Sequence, residues 1–151
     1  MTESTVKYSE PLRVFVYGTL KPGEANYQRY CAGKVVNAKR AVTLGKLFAL
    51  PMGYPAMTPG QNQVHGYLLC FSNLEVLSAL DYLEDYQSNR PMLENLYNRQ
   101  QVEVYDLQGE SLGWAWAYFM TLELVGKFKG ILQVDGWWSG CCLTAKESYE
   151  F

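Results

Sequence analysis

Four consecutive residues, Val14, Phe15, Val16 and Tyr17, constrain this chain most, because they are β-branched or aromatic and apolar on both alternating faces. A strand of that kind has to be covered on both sides. The chain then reads Gly18-Thr19-Leu20-Lys21-Pro22-Gly23, a turn opening out of the buried strand. Gly18 permits backbone angles that larger residues resist. A glycine at a strand end lets successive N–H groups converge into a concave nest for an anion such as a carboxylate, with the Thr19 hydroxyl at its mouth. The competing reading is a turn whose glycine serves geometry alone. The spacing of Gly18 and Gly23 imitates a phosphate loop, but Glu24 and Ala25 stand where lysine and a hydroxyl are needed, which argues against nucleotide binding.

The rest of the chain reads as strands before and after one central helix. Asn26 to Ala32 predicts a short helix stopped by Gly33, and residues 41–50 a strand with a bulge at Gly45. The prolines and glycine of Pro51-Met52-Gly53-Tyr54-Pro55 fix the backbone and hold Tyr54 at a pocket edge. A strand over 64–71 leads into Ser72-Asn73-Leu74-Glu75, a capping-box pattern that starts a helix near residue 73 and carries it to about 86. After a polar loop at 87–96, residues 97–106 and 111–120 form an antiparallel hairpin around Gly109. In its second strand bulky Leu112, Trp114, Trp116, Tyr118 and Met120 alternate with Gly113, Ala115, Ala117 and Phe119, which suits a curved sheet or barrel wall. Gly126, Gly130, Gly136 and Gly140 predict an irregular tail, packed back on the body through Trp137 and Trp138. Without a regular βαβ rhythm, this order predicts an α+β domain.

At 151 residues, 48% of them hydrophobic, the chain suits one domain over 11–151 behind a loose leader at 1–10. A net charge of −2 with no block of like charge argues against nucleic-acid and membrane-surface partners. No apolar run reaches the length of a membrane helix and the first residues lack a signal core, so the expected location is cytoplasmic. Cys31, Cys70, Cys141 and Cys142 lack metal spacing, and His65 is the sole histidine, so no metal site is expected. Nothing in the chain specifies an oligomeric state.

The predicted helix carries Leu74, Val76, Leu77, Leu80 and Leu83 on one side, and at about 100° per residue Glu84 falls between Leu77 and Leu80. If the helix persists, this carboxyl faces the interior, where loss of water raises its pKa and fits it to take and return a proton. If the helix frays near residue 83, Glu84 points to solvent or caps a neighbour. Asp81 and Asp85 are expected to be solvated or locally hydrogen-bonded.

Tyr17-Gly18-Thr19-Leu20 followed by Gly23, together with Leu80-Asp81-Tyr82-Leu83-Glu84, resembles the two signatures of the gamma-glutamylcyclotransferase-like superfamily. Gly53-Tyr54-Pro55, Val64-His65-Gly66-Tyr67-Leu68, Tyr97-x-Arg99 and Trp116-x-Tyr118 extend the resemblance over about residues 13–120, and more faintly to 134–138. It implies a small mixed, partly closed β-barrel with flanking helices. It also makes Glu84 the catalytic residue. Where the family often has glycine next, this chain has Asp85, whose charge would raise the Glu84 pKa further.

The family's reaction is cyclisation of a gamma-glutamyl group: the α-amine attacks the γ-carbonyl, releasing the attached amine or peptide and leaving 5-oxoproline. The attack is intramolecular and needs no metal or organic cofactor. The resemblance implies a small-molecule gamma-glutamyl substrate. Tyr17, Gly18, Thr19 and Leu20 would hold its α-carboxylate and oxyanion, Tyr54 and Tyr97 would contact it, and Glu84 would move both protons. Arg99 is placed either to pair with a substrate carboxylate or to bridge to Glu103 on the same face. The alternative class is a non-catalytic binding or interaction module that keeps fold and pocket. A cysteine-nucleophile hydrolase lacks any supporting spacing.

Overall fold

The computed structural model describes residues 12–139; the leader expected over 1–10, and Gly140, Cys141 and Cys142, lie outside the described residues. Among those described, the elements are β1 (Leu12–Val16), α1 (Tyr27–Tyr30), β2 (Val35–Ala49), β3 (Pro55–Phe71), α2 (Glu75–Leu83), β4 (Asn98–Tyr105), β5 (Ser111–Phe119), α3 (Leu122–Lys127) and β6 (Ile131–Leu132). A 3-10 turn at Met92–Glu94 stands between α2 and β4.

The strands pair in the order β3-β1-β5-β4-β2-β6, and a further β2–β3 pairing leads back to the start, so five of them complete a ring of hydrogen bonds. Two seams are thin: β1 meets β5 in parallel at Val14 and Trp116, and β2 meets β4 at Val42 and Tyr105. The remaining pairings are antiparallel. The expected α+β class with a mixed, partly closed barrel is therefore present as a ring that is strong along two hairpins and weak at two seams.

Both faces of β1 are covered, as its composition requires. Leu12, Val14 and Val16 join Val76 and Leu80 of α2 in one core, while Phe15 and Tyr17 belong to a second with Val64, Leu68, Val104, Ala115 and Ala117. The small side of β5 makes room for that second core: Ala115 and Ala117 are buried, whereas Trp114 on the bulky side is 58% exposed.

Several boundaries depart from the sequence reading, each for a local reason. The strand expected at 64–71 reaches back to Pro55, because the β2–β3 register jumps from Gly45↔Asn62 to Lys46↔Thr58. Pro59, which has no N–H to donate, stands in that bulge. The Ser72–Glu75 capping box does not form; Asn73 Oδ1 accepts the Glu75 N–H at 2.8 Å, taking the donor that Ser72 would have used. The tail is more regular than its glycines suggest. Thr121 Oγ1 caps α3 by accepting the Leu124 N–H at 3.2 Å, and β6 pairs with β2. Trp138 is buried, its carbonyl accepting from the Lys21 ammonium, which lies 3.4 Å from the Trp137 ring centre.

Gly66 marks a close approach of β3 to β1, since a Cβ there would lie 2.1 Å from the Val16 carbonyl oxygen. Gly66→Ala should therefore destabilise the protein by about 3 kcal/mol, read as a lower urea midpoint. A midpoint equal to wild type would show that the strands do not pack this tightly.

Candidate active site

The end of β1 delivers Tyr17, Gly18, Thr19 and Leu20 to a cavity of about 270 Å³. Glu84 enters from the end of α2, Tyr54 and Pro55 from the β2–β3 connection, Leu96 and Tyr97 from the segment before β4, and Tyr118 from β5. The structure thus gathers Tyr17, Gly18, Thr19, Leu20, Tyr54, Tyr97 and Glu84 around one space.

Gly18 is required for a reason other than backbone angles. It does not lie in the left-handed region; a Cβ on it would meet Pro55 Cγ at 2.6 Å and Cδ at 2.9 Å. Pro55 is held against it by the Tyr97 hydroxyl, which donates to the Pro55 carbonyl at 2.6 Å. In the turn, the Gly18 carbonyl accepts from the Lys21 N–H at 3.0 Å and the Thr19 carbonyl from the Asn26 N–H at 2.8 Å. Asn26 Nδ2 donates to Thr19 Oγ1 at 2.9 Å, leaving the hydroxyl proton available. The amides of Gly18, Thr19 and Leu20 make no hydrogen bond to another described residue. Buried amides ordinarily have an acceptor. Here three successive donors beside a cavity lack one.

α2 ends at Leu83, yet Glu84 stays on the inner side. Its N–H still donates to the Leu80 carbonyl at 2.9 Å and its angles, φ −87° and ψ 2°, continue the helical sense. The chain swings away one residue later, at Asp85, whose φ of +55° is the left-handed conformation that glycine adopts most easily. Burial pushes the Glu84 carboxyl up from 4.5 to about 7. Asp85 adds nothing to that rise, contrary to expectation, because its carboxylate is turned to Arg90 at 3.1 Å and is 58% exposed.

Two phenols beside Glu84, Tyr17 and Tyr97, are kept neutral. Burial raises Tyr17 and Tyr97 most, with the Glu84 charge adding in both cases. Their hydroxyls are also committed, since Tyr17 donates to the Tyr118 carbonyl at 2.6 Å and accepts the Met57 N–H at 3.1 Å. Tyr97 therefore supplies its ring to the cavity while its proton is engaged by Pro55. The Tyr54 hydroxyl has no partner among the described residues, although it lines the cavity.

Two polar residues behave differently from their sequence reading. Asp81 is neither solvated nor locally bonded: it accepts from Arg99 Nη1 at 2.8 Å and from the Tyr118 hydroxyl at 2.7 Å. Arg99 accordingly does not bridge to Glu103, which instead receives the hydroxyls of Tyr105 and Ser111. Tyr118, Asn26 and Leu96 line the cavity without having been named as site residues. Tyr118 left two traces, as a large residue in the alternating β5 run and in the Trp116-x-Tyr118 match. His65 lies away from the cavity, and burial lifts the Cys31 thiol to about 11, unlike an activated nucleophile.

One cavity of a small α+β ring thus joins strand-end amides that lack an acceptor among the described residues with a carboxyl raised to about 7. The chain belongs to the family described as gamma-glutamyl cyclotransferase, AIG2-like, whose model matches residues 14–139. It is 30% identical over 125 residues to gamma-L-glutamyl-butirosin B gamma-glutamyl cyclotransferase of Niallia circulans, spanning 78% of each chain. An AIG2-like protein of Mus musculus shares the fold at TM-score 0.63 and 24% identity, over 85% of this chain and 88% of that one. YkqA of Bacillus subtilis matches at TM-score 0.62 and 23% identity over 90% of this chain, which spans 42% of that longer one. No helix among the described residues is long and apolar enough to cross a membrane.

The Glu84 shift makes a stability prediction with a definite sign. Its folded pKa, about 7, lies above the unfolded value near 4.5, so between these the folded protein binds more protons and stability falls as pH rises. Above that window the buried charge costs on the order of 3 kcal/mol. Glu84→Gln should raise the urea midpoint at about pH 8 and change it little near pH 4. An equal effect at both would mean that Glu84 is not desolvated.

Proposed function

We propose that the protein is a gamma-glutamyl cyclotransferase that converts a gamma-glutamyl amine or peptide to 5-oxoproline and the free amine. The observation that carries this reading is the shared cavity, in which the amides of Gly18, Thr19 and Leu20, without an acceptor among the described residues, stand with a carboxyl raised to about 7. The amides and the Thr19 hydroxyl hold the α-carboxylate and polarise the γ-carbonyl. Glu84 removes a proton from the α-ammonium, the α-nitrogen bonds to the γ-carbon, and the bond from that carbon to the leaving nitrogen breaks as Glu84 gives it that proton; the second proton shed by the α-nitrogen passes to solvent or to the released amine, so the lactam nitrogen keeps one hydrogen. A carboxyl poised near neutrality serves both transfers. Ring closure is intramolecular, so holding the head group in a folded conformation supplies much of the rate. A cavity of about 270 Å³ suits that head group. Tyr54, with its uncommitted hydroxyl, is the phenol free to reach the substrate, while Tyr97 acts through its ring and its hold on Pro55. The reading extends to this chain the activity named for its Niallia circulans relative, without its substrate.

Glu84→Gln should lower 5-oxoproline release from a panel of gamma-glutamyl compounds by roughly 100- to 10,000-fold while the fold persists. A folded, fully active variant would remove Glu84 from the reaction, and no turnover by wild type across the panel would leave a binding module. Amidating the substrate's α-carboxylate should weaken its binding by about ten-fold or more, because charge-assisted bonds to the turn are lost. Equal affinities for acid and amide would place the carboxylate elsewhere.

A further inference from the structure

Between α2 and β4 the chain makes a polar loop whose tip at 91–94 is exposed, while Asn95 at its base is only 3% exposed. The Asn95 side chain uses all of its hydrogen-bonding capacity. Its Oδ1 accepts from the Gln87 N–H at 3.0 Å and from Arg90 Nε at 2.7 Å, and its Nδ2 donates to the Gln87 carbonyl at 3.2 Å and to Asn98 Oδ1 at 2.9 Å. Arg90 carries the connection onward, with its Nη2 donating to the Asp85 carbonyl at 2.7 Å and to Asp85 Oδ1 at 3.1 Å. The same Asp85 carbonyl accepts the Leu96 N–H at 3.3 Å. On the far side Asn98 Nδ2 donates to the Met92 carbonyl at 3.1 Å. A buried polar side chain satisfied in this way rigidifies the chain around it.

Both ends of this loop run into the cavity wall. Asp85 follows Glu84 directly and closes α2 in the left-handed conformation, its N–H on the Tyr82 carbonyl at 3.2 Å and the Tyr86 N–H on the Asp81 carbonyl at 3.0 Å. Asn95 immediately precedes Leu96 and Tyr97, which line the cavity together with Leu83 and Glu84. The Leu96–Asp85 hydrogen bond therefore joins the two stretches of wall beside the carboxyl. Asp85, Arg90 and Asn95 do not themselves line the cavity, so none of them is placed to touch a substrate there.

We propose that Asn95 is a positioning residue: with Arg90 it clasps residues 85–95 into one unit that fixes the backbone of Glu84 at one end and of Leu96 and Tyr97 at the other, closing that side of the cavity to water. Without the clasp the wall loosens and water reaches the Glu84 carboxyl, whose raised pKa has burial as its cause. The ionisable groups around Glu84 are Asp81 and Asp85 on its own segment, Tyr17 after β1, Tyr54 before β3, Tyr97 before β4 and Tyr118 on β5. Asp81 is paired with Arg99 and Asp85 with Arg90. Asn95→Ala and Arg90→Lys leave every formal charge in place, and a lysine has no fork with which to hold Asn95 and Asp85 together. The effect on turnover rests on the proposed role of Glu84; the effect on its titration does not.

The test uses the full chain with Asn95→Ala, Arg90→Lys and the double variant, following the Glu84 carboxyl by ¹³C NMR and assigning it by its loss in Glu84→Gln. Asn95→Ala should lower the Glu84 midpoint by about one pH unit or more, toward the ordinary carboxyl value. Arg90→Lys should lower it in the same direction, and the double variant should go little beyond Asn95→Ala, because both changes open one clasp. In turnover, kcat/KM of Asn95→Ala at about pH 8 should fall about ten-fold or more, and the acid limb of its pH profile should follow the NMR midpoint. A folded Asn95→Ala protein with lower stability and an unmoved midpoint would show a brace for the loop alone, and overturns the proposal. A double variant whose shift is the sum of the two single shifts separates Arg90 from Asn95 and overturns the clasp. Should Asn95→Ala fail to fold, Arg90→Lys decides: a lowered midpoint supports the proposal and a wild-type midpoint overturns it. Wild-type protein that releases no 5-oxoproline defeats the functional reading, and the NMR midpoints still decide this one.

Discussion

A strand covered on both faces and paired along both edges leaves its polar continuation one way out, and β1 imposes that condition on the whole molecule. It pairs with β3 over its full length and touches β5, while its side chains alternate between the two cores. The turn at Gly18 therefore emerges at a fixed point, where three other segments converge. Tyr17 ties β1 to β5 and β3 through one hydroxyl, and Pro55, held by Tyr97, closes on Gly18 from the opposite side. The geometry of the turn is thus a property of the packed core and is not left to a flexible loop.

The electrostatics of the cavity follow from the same packing. A half-buried carboxyl reached by no donor among the described residues costs stability once ionised, and Glu84 is in that position. Tyr17 and Tyr97 do not relieve it, because their hydroxyl protons are committed to backbone carbonyls. Among the described groups that line this cavity, Glu84 is the one that burial brings near neutrality. An intramolecular cyclisation asks for little more than a rigid holder and a single proton carrier.

Much of this arrangement was legible in the chain. The apolar run at 14–17 required a doubly covered strand, and the glycine-threonine turn marked where it opens. The wheel placed Glu84 on the inner stripe although α2 stops at Leu83, because the capping residue keeps near-helical angles and the chain turns only at Asp85. The expected capping box failed because Asn73, nearer to the same amide, took it. α3 was hidden by Gly126, which a capped and packed short helix tolerates.

By itself the sequence determined the features that carry a period: a strand apolar on both faces, a hairpin with one small side, and a helix whose stripe includes a carboxylate. Burial writes such patterns because it acts on every second or every third to fourth residue. Tertiary structure decided the single contacts. Gly18 is glycine because of Pro55, Tyr97 is fixed by the Pro55 carbonyl, and Asp81 is occupied by Arg99 and Tyr118. Each joins residues far apart in the chain through one hydrogen bond or one close approach, which leaves no periodic trace, so only the fold could bring those partners together.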